Sequence, residues 1–242
     1  ITTAGDRKIP MVTGHGTASW AEEKTKLKES DETFGQETLG AYKAATTVKV
    51  SEELLYDSVF NLEAYISQEF ARRIGSLEEE AFLVGDGTGK PTGVFNSAKT
   101  GVTATSAEAI TFDEIFDLFY SLKSAYRKNG IWICNDTTIK ALRKIKDANG
   151  QYLWQPSASA ATPDMLLNRP IKTSSYAPEI GTGKTPIIFG DFSYYWIADR
   201  QGRSFKKLAE IYSETDEVGF KTTERVDGKL LLPEAVQALK MA

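Results

Sequence analysis

"NLEAYISQEFARRIGSLEEEAFLVGDGTGKPTGVFN", residues 61 to 96, joins a long helical pattern directly to a glycine-rich loop. Large apolar residues recur every four positions in its first half, which is the spacing of one helical face. These residues are Leu62, Ile66, Phe70 and Ile74. Asn61 is a good N-cap, so the pattern predicts a helix over residues 62–84, a rod about 35 Å long at 1.5 Å per residue.

The glycine-rich loop has the composition of a phosphate-binding loop but lacks its spacing. A Walker loop needs a glycine five residues before its Gly-Lys pair, and Val84 stands there instead. Pro91 follows Lys90, where the motif needs a hydroxyl, and the loop follows a helix rather than opening one. We therefore predict a backbone turn and no bound cofactor. The predicted turn residues are Gly85, Gly87, Gly89 and Pro91.

Residues 17 to 50 predict a long hairpin with no core of its own. Residues 41–50 alternate as a strand does, whereas the middle of the hairpin is crowded with charge. Leu27 and Phe34 are the only large apolar residues of that middle. Such a ribbon needs another surface on which to lie.

The second half of the chain predicts alternating helices and strands. Thr111 and Glu114 form a capping box before a helix, and "IWICN" predicts a strand with Cys134 as a buried apolar residue. A helix starts at Asp136, and "YLW" predicts a further strand. Asp227-Gly228 predicts a hairpin turn between the last strands.

Composition excludes several classes of site. The net charge of −4 gives no strongly basic surface for nucleic acid, and no apolar run reaches the roughly 18 residues of a membrane span. One cysteine and one histidine, His15, exclude a Cys/His zinc site within one chain. Residues 78–80, three consecutive glutamates, face different directions on a helix and predict a solvated or interface surface rather than a metal site.

Three stretches, in this order along the chain, together resemble the major capsid proteins of tailed bacteriophages, the HK-ninety-seven fold. They are the segment from Val48 to Asn96, "GDFSYYWIADRQG" (190–202) and "FKTTERVDGKLLLPEAVQALK" (220–240). The resemblance covers nearly the whole chain. It implies an α+β fold with an extended β-hairpin loop, a long spine helix, a peripheral domain and an α/β axial domain.

The resemblance also implies a division of the chain and a set of contacts. The hairpin would lie across a neighbouring subunit, and the axial domain would meet its symmetry mates around five- and six-fold axes. The implied inter-subunit contact candidates are Trp20, Lys24, Lys28, Asp31 and Phe34. The implied segments are 1–50 for the N-terminal segment and hairpin, 51–110 for the peripheral domain with the spine helix, 111–200 for the axial domain, 201–225 for peripheral strands, and 226–242 for the C-terminal axial strand.

One departure from the family concerns covalent cross-linking. The founding member joins a loop lysine to a distant asparagine with the help of a glutamate. Lys28 falls near the lysine position, but Asp216 stands at the asparagine position and Thr223 at the glutamate position. A carboxylate offers no amide to displace, so we predict no such cross-link.

The predicted function is structural, not enzymatic. Copies of the chain would assemble as hexamers and pentamers into an icosahedral shell that encloses double-stranded DNA without gripping it specifically. Portal, scaffold, protease or decoration proteins are further expected partners, and no membrane is. The expected location is the virion, assembled in the bacterial cytoplasm, and a start at Ile1 fits maturation cleavage or a boundary of another origin. The alternatives are an encapsulin-like compartment and a nucleotide-binding enzyme that uses the Gly85–Lys90 loop.

Overall fold

A computed structural model describes residues 2–3, 5–14, 33–59, 61–147, 149–154 and 164–242. These ranges form three β-sheets and a set of helices, so the α+β prediction is confirmed. The strands are β1 Thr2–Thr3, β2 Arg7–Gly14, β3 Thr33–Leu39, β4 Tyr42–Ser51, β5 Lys99–Thr103, β6 Ile131–Cys134, β7 Met165–Leu166, β8 Arg169–Thr173, β9 Ile187–Gly190, β10 Tyr195–Arg200, β11 Ser204–Leu208, β12 Glu217–Leu230 and β13 Val236–Lys240. The helices are α1 Glu52–Asp57, α2 Leu62–Val84, α3 Val94–Ser97, α4 Phe112–Ser121, α5 Ser124–Arg127 and α6 Asp136–Arg143, with 3₁₀ turns at Phe192–Tyr194, Ser213–Thr215 and Pro233–Ala235.

Helix α2 has the bounds that the sequence predicts. Asn61 caps it, with the side-chain oxygen accepting a hydrogen bond from the Ala64 amide at 3.0 Å. Its apolar stripe packs on one face of a five-stranded sheet, where Phe70 meets Phe220 of β12 in a common core cluster. Burying side chains of this size contributes roughly 2 kcal/mol each, so the stripe fixes the helix to the sheet.

Strand β12 is the centre of the five-stranded sheet. Strand β4 pairs antiparallel with one of its edges along Glu217–Val226, and β10 and β11 follow one another along the other edge. Strand β1 extends the sheet beside β10 in parallel.

The predicted hairpin of residues 17–50 is corrected by these pairings. Strand β4 does form, but it pairs with β12, whereas the two-stranded hairpin consists of β2 and β3. The alternation of β4 gives it a half-buried face at Val48 and Val50, and the α2–β12 cluster offers that face an apolar partner. Burial therefore decides the pairing over sequence proximity.

The predicted turn at Asp227-Gly228 is wrong, because β12 runs through both residues without interruption. Asp227 is 1% exposed, and its two carboxylate oxygens accept the Gly40 amide at 2.7 Å and the Gly228 amide at 2.8 Å. A Cβ on Gly228 would lie 2.6 Å from the Tyr195 hydroxyl. The glycine thus permits close packing inside a strand. Glycine within a strand often marks such a close approach.

The six-stranded sheet has the order β5-β13-β9-β6-β8-β7. Helices α4 and α6 share one core cluster on one face of it, around Trp132 and Phe189, whose rings stack at 4.2 Å. Helix α3 lies on the other face. The capping box at Thr111 and Glu114 is confirmed, and Cys134 is fully buried in strand β6.

The strand predicted at residues 152–154 is wrong. Tyr152 forms only an isolated bridge with Lys146. Trp154 turns inward instead, and its indole Nε1 donates to the Met165 carbonyl at 2.9 Å. Burial of one large aromatic side chain takes precedence here over a regular ladder.

Candidate assembly surfaces

The glycine-rich loop makes a tight reversal at the end of α2. Gly87 and Gly89 have φ of +79° and +70°, a backbone region that glycine adopts without strain. At Gly85 the constraint is space, since a Cβ would lie 2.2 Å from the Pro91 carbonyl oxygen and 2.4 Å from that of Ala81. Pro91 thus forms the return side of the turn and covers the helix end.

The loop directs its amides at this chain rather than at a ligand. The amides of Gly85, Thr92 and Gly93 donate to backbone carbonyls of the same chain at 2.9, 3.1 and 2.9 Å. Lys90 lies 3.9 Å from Asp86, within an exposed pair. A phosphate cradle needs several free amides that converge on one point, and this loop has used three of its own in packing.

The predicted contact residues lie almost entirely outside the described ranges. Trp20, Lys24, Lys28 and Asp31 fall there. Phe34 is in strand β3, opposite Val12 of β2, and its side chain is not described. The structure therefore describes the base of the hairpin and not its tip.

The base of the hairpin is anchored on β12. Leu39 is 1% exposed, and the Gly40 amide donates to the buried carboxylate of Asp227. Lys229 forms an ion pair with Glu37 at 3.2 Å. These contacts fix the position at which the hairpin strand β3 connects to β4 of the five-stranded sheet.

One face of the five-stranded sheet points away from α2. On this face, lysine and arginine side chains of neighbouring strands stand directly opposite one another. Lys43 is the partner of Arg225, and Lys206 is the partner of Lys221. Across the described residues none of the four forms an ion pair. Like charges directly opposite on a sheet are destabilising, so this cationic face favours an anionic partner.

Of the two positions compared with the cross-linking site, Thr223 lies in β12 and Asp216 comes just before that strand. Thr223 pairs with Ala45 and Ser204 and stands between Lys221 and Arg225, two residues from each, on the cationic face. Asp216 precedes β12 and has a φ of +52°. Sequence reasoning missed the cationic face because the residues that pair on it are 15 and 182 residues apart, and only the alternation of β4 and β12 points to it.

A cluster of two carboxylates and one guanidinium joins α2 to the sheet on the other face. Arg203 donates to Glu224 at 2.7 Å and to Glu78 of α2 at 3.2 Å. Burial and the neighbouring charge of Glu224 raise the pKa of Glu78 to about 7, and Arg203 opposes this shift. The joint between helix and sheet therefore contains a carboxyl that titrates near neutral pH.

The described residues contain neither a metal-binding cluster nor a membrane-spanning helix. The described ranges hold no group of three or more His, Cys, Asp or Glu side chains that could bind a metal ion. Glu79 instead accepts a hydrogen bond from the Ser174 hydroxyl at 2.7 Å. None of the helices described is long and apolar enough to cross a membrane.

Solved structures that resemble this chain include a capsid. The capsid of a native GTA particle, computed with C5 symmetry, matches 100% of this chain and 87% of its own with a TM-score of 0.90 and 29% identity. The Gordonia phage Cozz structure matches with a TM-score of 0.73 and 16% identity, over 100% of this chain and 84% of its own. The second likeness shows the fold alone.

Curated relatives are major capsid proteins. That of Klebsiella oxytoca phage phiKO2 is 27% identical over 227 residues, and that of Escherichia phage T5 is 24% identical over 182 residues. The matches cover 88% and 67% of this chain but 52% and 39% of those proteins, so the chain spans about half the length of the curated relatives or less. The model of the phage capsid family matches residues 1–241. The chain therefore belongs to the phage capsid family.

Proposed function

We propose that this chain is a structural subunit that assembles with copies of itself into the shell of a phage-like particle. The observation that carries the proposal is the likeness to the capsid of a GTA particle over the full chain, at 29% identity. Hexamers and pentamers are the proposed assembly units. Double-stranded DNA is the proposed content, held without specific contacts.

Two features of the lone chain support assembly. The hairpin of β2 and β3 is a two-stranded sheet, and such a sheet is marginally stable by itself in water. The cationic face places like charges opposite one another, which an acidic neighbour would relieve. We propose that residues 15–32 of a neighbouring copy lie on this face, with Trp20, Lys24, Lys28 and Asp31 among the contact residues. Phe34, two residues beyond that segment, is a further proposed contact.

The peripheral and axial division follows from the same proposal. The axial domain, residues 111–200 and 226–242, would surround the symmetry axes, and the peripheral domain would hold the spine helix α2. Scaffold, portal, protease and decoration proteins are proposed partners, and assembly is proposed to occur in the host cytoplasm. No isopeptide cross-link is expected at Asp216, because its carboxylate has no amide to displace.

The contents of purified particles test the proposal. We expect particles of megadalton mass in analytical ultracentrifugation, and nuclease-resistant DNA in those recovered from lysed host cells. Shells that hold a specific cargo protein instead of DNA would favour the encapsulin-like compartment. Saturable binding of ATP and magnesium by calorimetry, lost in Lys90→Ala, would contradict the structural function.

A further inference from the structure

Helix α4 carries a second stripe on the side that faces away from its core. The inner side buries Ile115 and Leu118, whereas the outer side presents two carboxylates and two aromatic rings at i, i+3, i+4 and i+7. These four residues, here named the α4 ridge, are Asp113, Phe116, Asp117 and Tyr120. A helix that only packs on its own sheet has no need of aromatic residues on this side.

The α4 ridge is exposed and its charges are unpaired. Phe116 is 40% exposed and Tyr120 is 65% exposed. Neither Asp113 nor Asp117 has an ion pair among the residues described. The guanidinium of Arg127 lies 4.9 Å from the centre of the Tyr120 ring. Arg127 thus supports the Tyr120 ring, and the α4 ridge as a whole presents an acidic and aromatic surface.

An open groove beside α6 has the opposite charge. Its volume is about 890 Å³, and its walls include Lys140, Lys144, Tyr152 and Trp154, with Asp136 as the acidic lining residue. Tyr152 is 52% exposed, whereas Trp154 lies at the base with 8% exposed. Neither lysine has an ion pair within the described ranges. We name this feature the α6 groove.

The wall of the α6 groove is held in place from within. Arg143 forms an ion pair with Asp164 at 2.6 Å, and its guanidinium lies 5.1 Å from the Trp154 ring centre. The Trp154 indole is in turn bonded to the carbonyl of Met165 in β7. A preorganised cavity of this kind loses little side-chain freedom when a partner enters.

The ridge and the groove lie at opposite ends of one sheet. Helix α4 packs beside β5 and β13, the first two strands of the six-stranded order, and the groove adjoins β7, the last. Five strand spacings of roughly 4.8 Å separate β5 from β7, about 24 Å. One copy therefore cannot place its own ridge in its own groove.

We propose that the α4 ridge of one copy docks in the α6 groove of a second copy, with Asp113 and Asp117 facing Lys140 and Lys144. The inference rests on the proposed function and specifies one of its contacts. Charge complementarity selects a second copy as the partner. Because the two surfaces differ, the contact is heterologous: it repeats from copy to copy and closes into a ring when the rotation allows.

Cysteine pairs across the proposed contact provide the test. The full-length chain with Asp117→Cys and Lys144→Cys is treated with a short bismaleimide and run on a denaturing gel. We expect a ladder that ends at the number of copies in a ring. Each single variant can give dimers at most, and the native thiol of Cys134 adds little background because it is 0% exposed.

A charge exchange gives a second, independent measurement. Asp113→Lys with Asp117→Lys should reduce particle yield at least tenfold in ultracentrifugation, as should Lys140→Asp with Lys144→Asp. The chain with all four changes should recover most of the yield, because the opposite charges face each other again. Thermal unfolding of each variant checks that the subunit itself is folded.

The outcomes separate this inference from the proposed function. The inference would be overturned if shells form, the cysteine pair gives no ladder and the charge exchange leaves the particle yield unchanged. The proposed function would then still stand. A ladder without closed shells in electron micrographs would support the contact and contradict the shell. If the fourfold variant restores the particle yield but the cysteine pair gives no ladder, the contact is supported. The two cysteines then lie farther apart than the linker can reach.

Discussion

Gly85 and Gly228 are glycines because of packing rather than turning. Neither has a positive φ, yet a Cβ at Gly85 would meet two carbonyl oxygens, and one at Gly228 would meet the Tyr195 hydroxyl and the Phe82 ring. Both sit where the loop after α2 is docked on β12. The missing side chains let helix end, loop and strand approach one another directly.

Replacing Gly85 by Ala should destabilise the subunit by about 3 kcal/mol, because backbone atoms at 2.2 and 2.4 Å cannot move aside as a flexible side chain can. Gly75→Ala is the matched control. Gly75 is inside α2 with no atom within 4 Å of the added Cβ, so it should gain roughly 0.5–1 kcal/mol from helix propensity. Chemical denaturation measures both, and equal stabilities for the two variants would contradict the packing argument.

At the residue scale the sequence predicts local features and misses those made by distant neighbours. The caps at Asn61 and Thr111 depend on residues three positions away, and both form as predicted. Asp227-Gly228 resembles a turn because the dipeptide is frequent in turns. Its residues instead pair with Ala198 and Ile197 of β10, and the Asp227 carboxylate accepts the amide of Gly40, 187 residues away. No local pattern reveals either contact.

The most informative element is the joint between α2 and the five-stranded sheet. Around the middle of α2 the joint is apolar and contains Phe70 and Phe220. Towards the C-terminus of α2 it contains Glu78, Arg203 and Glu224. Glu224 is 4% exposed, and its carboxyl lies next to that of Glu78. Two carboxyls beside one guanidinium favour a state in which one of them keeps its proton.

This joint should make stability depend on pH. The pKa of Glu78 is raised from 4.5 to about 7, so the folded chain keeps a proton that the unfolded chain releases between these values. The contribution is present below pH 4.5 and is lost as the pH rises through 7. In Glu78→Gln the fall in the free energy of unfolding from pH 4.5 to 8 should be smaller than in the wild type by roughly 2 kcal/mol.

Glu80→Gln is the control for that prediction, since Glu80 is exposed in the same turn of α2. We expect it to keep the wild-type pH dependence. Denaturation at a series of pH values measures all three proteins. A Glu78→Gln curve parallel to that of the wild type would show that the carboxyl titrates normally.

At the element scale, prediction succeeded where one segment determines its own structure. Helix α2 is defined by its own four-residue period, and its bounds are those predicted. Strand β4 was predicted as a strand from its alternation, but its partner was not. Pairing with β12 bridges about 175 residues, and that choice depends on a core that only the folded chain contains.

At the scale of the whole molecule, the described part of the lone subunit leaves three surfaces without a partner. The cationic face pairs like charges, the α4 ridge exposes aromatic rings, and the α6 groove is open. A monomeric protein rarely retains such surfaces without a partner. Repeated association of identical copies would cover all three, and the capsid of a GTA particle has a similar fold.

The sequence predicts assembly into a shell through its resemblance to a family, and not through its periodicity or charge pattern. The ridge and the groove come from segments that are ordinary amphipathic helices when each is considered alone. Their complementarity appears only once the sheet order places them at opposite ends. The contact candidates between Trp20 and Asp31 remain predictions, because they fall outside the described residues.

Cryo-electron microscopy of the protein, expressed with any sequence that flanks it in its gene, tests the central claim most directly. We predict closed shells built from rings of five and six copies, with residues 15–32 of one copy over the Lys221–Arg225 face of the next. Monomers alone at high protein concentration, or shells in which that face is bare, would contradict the account.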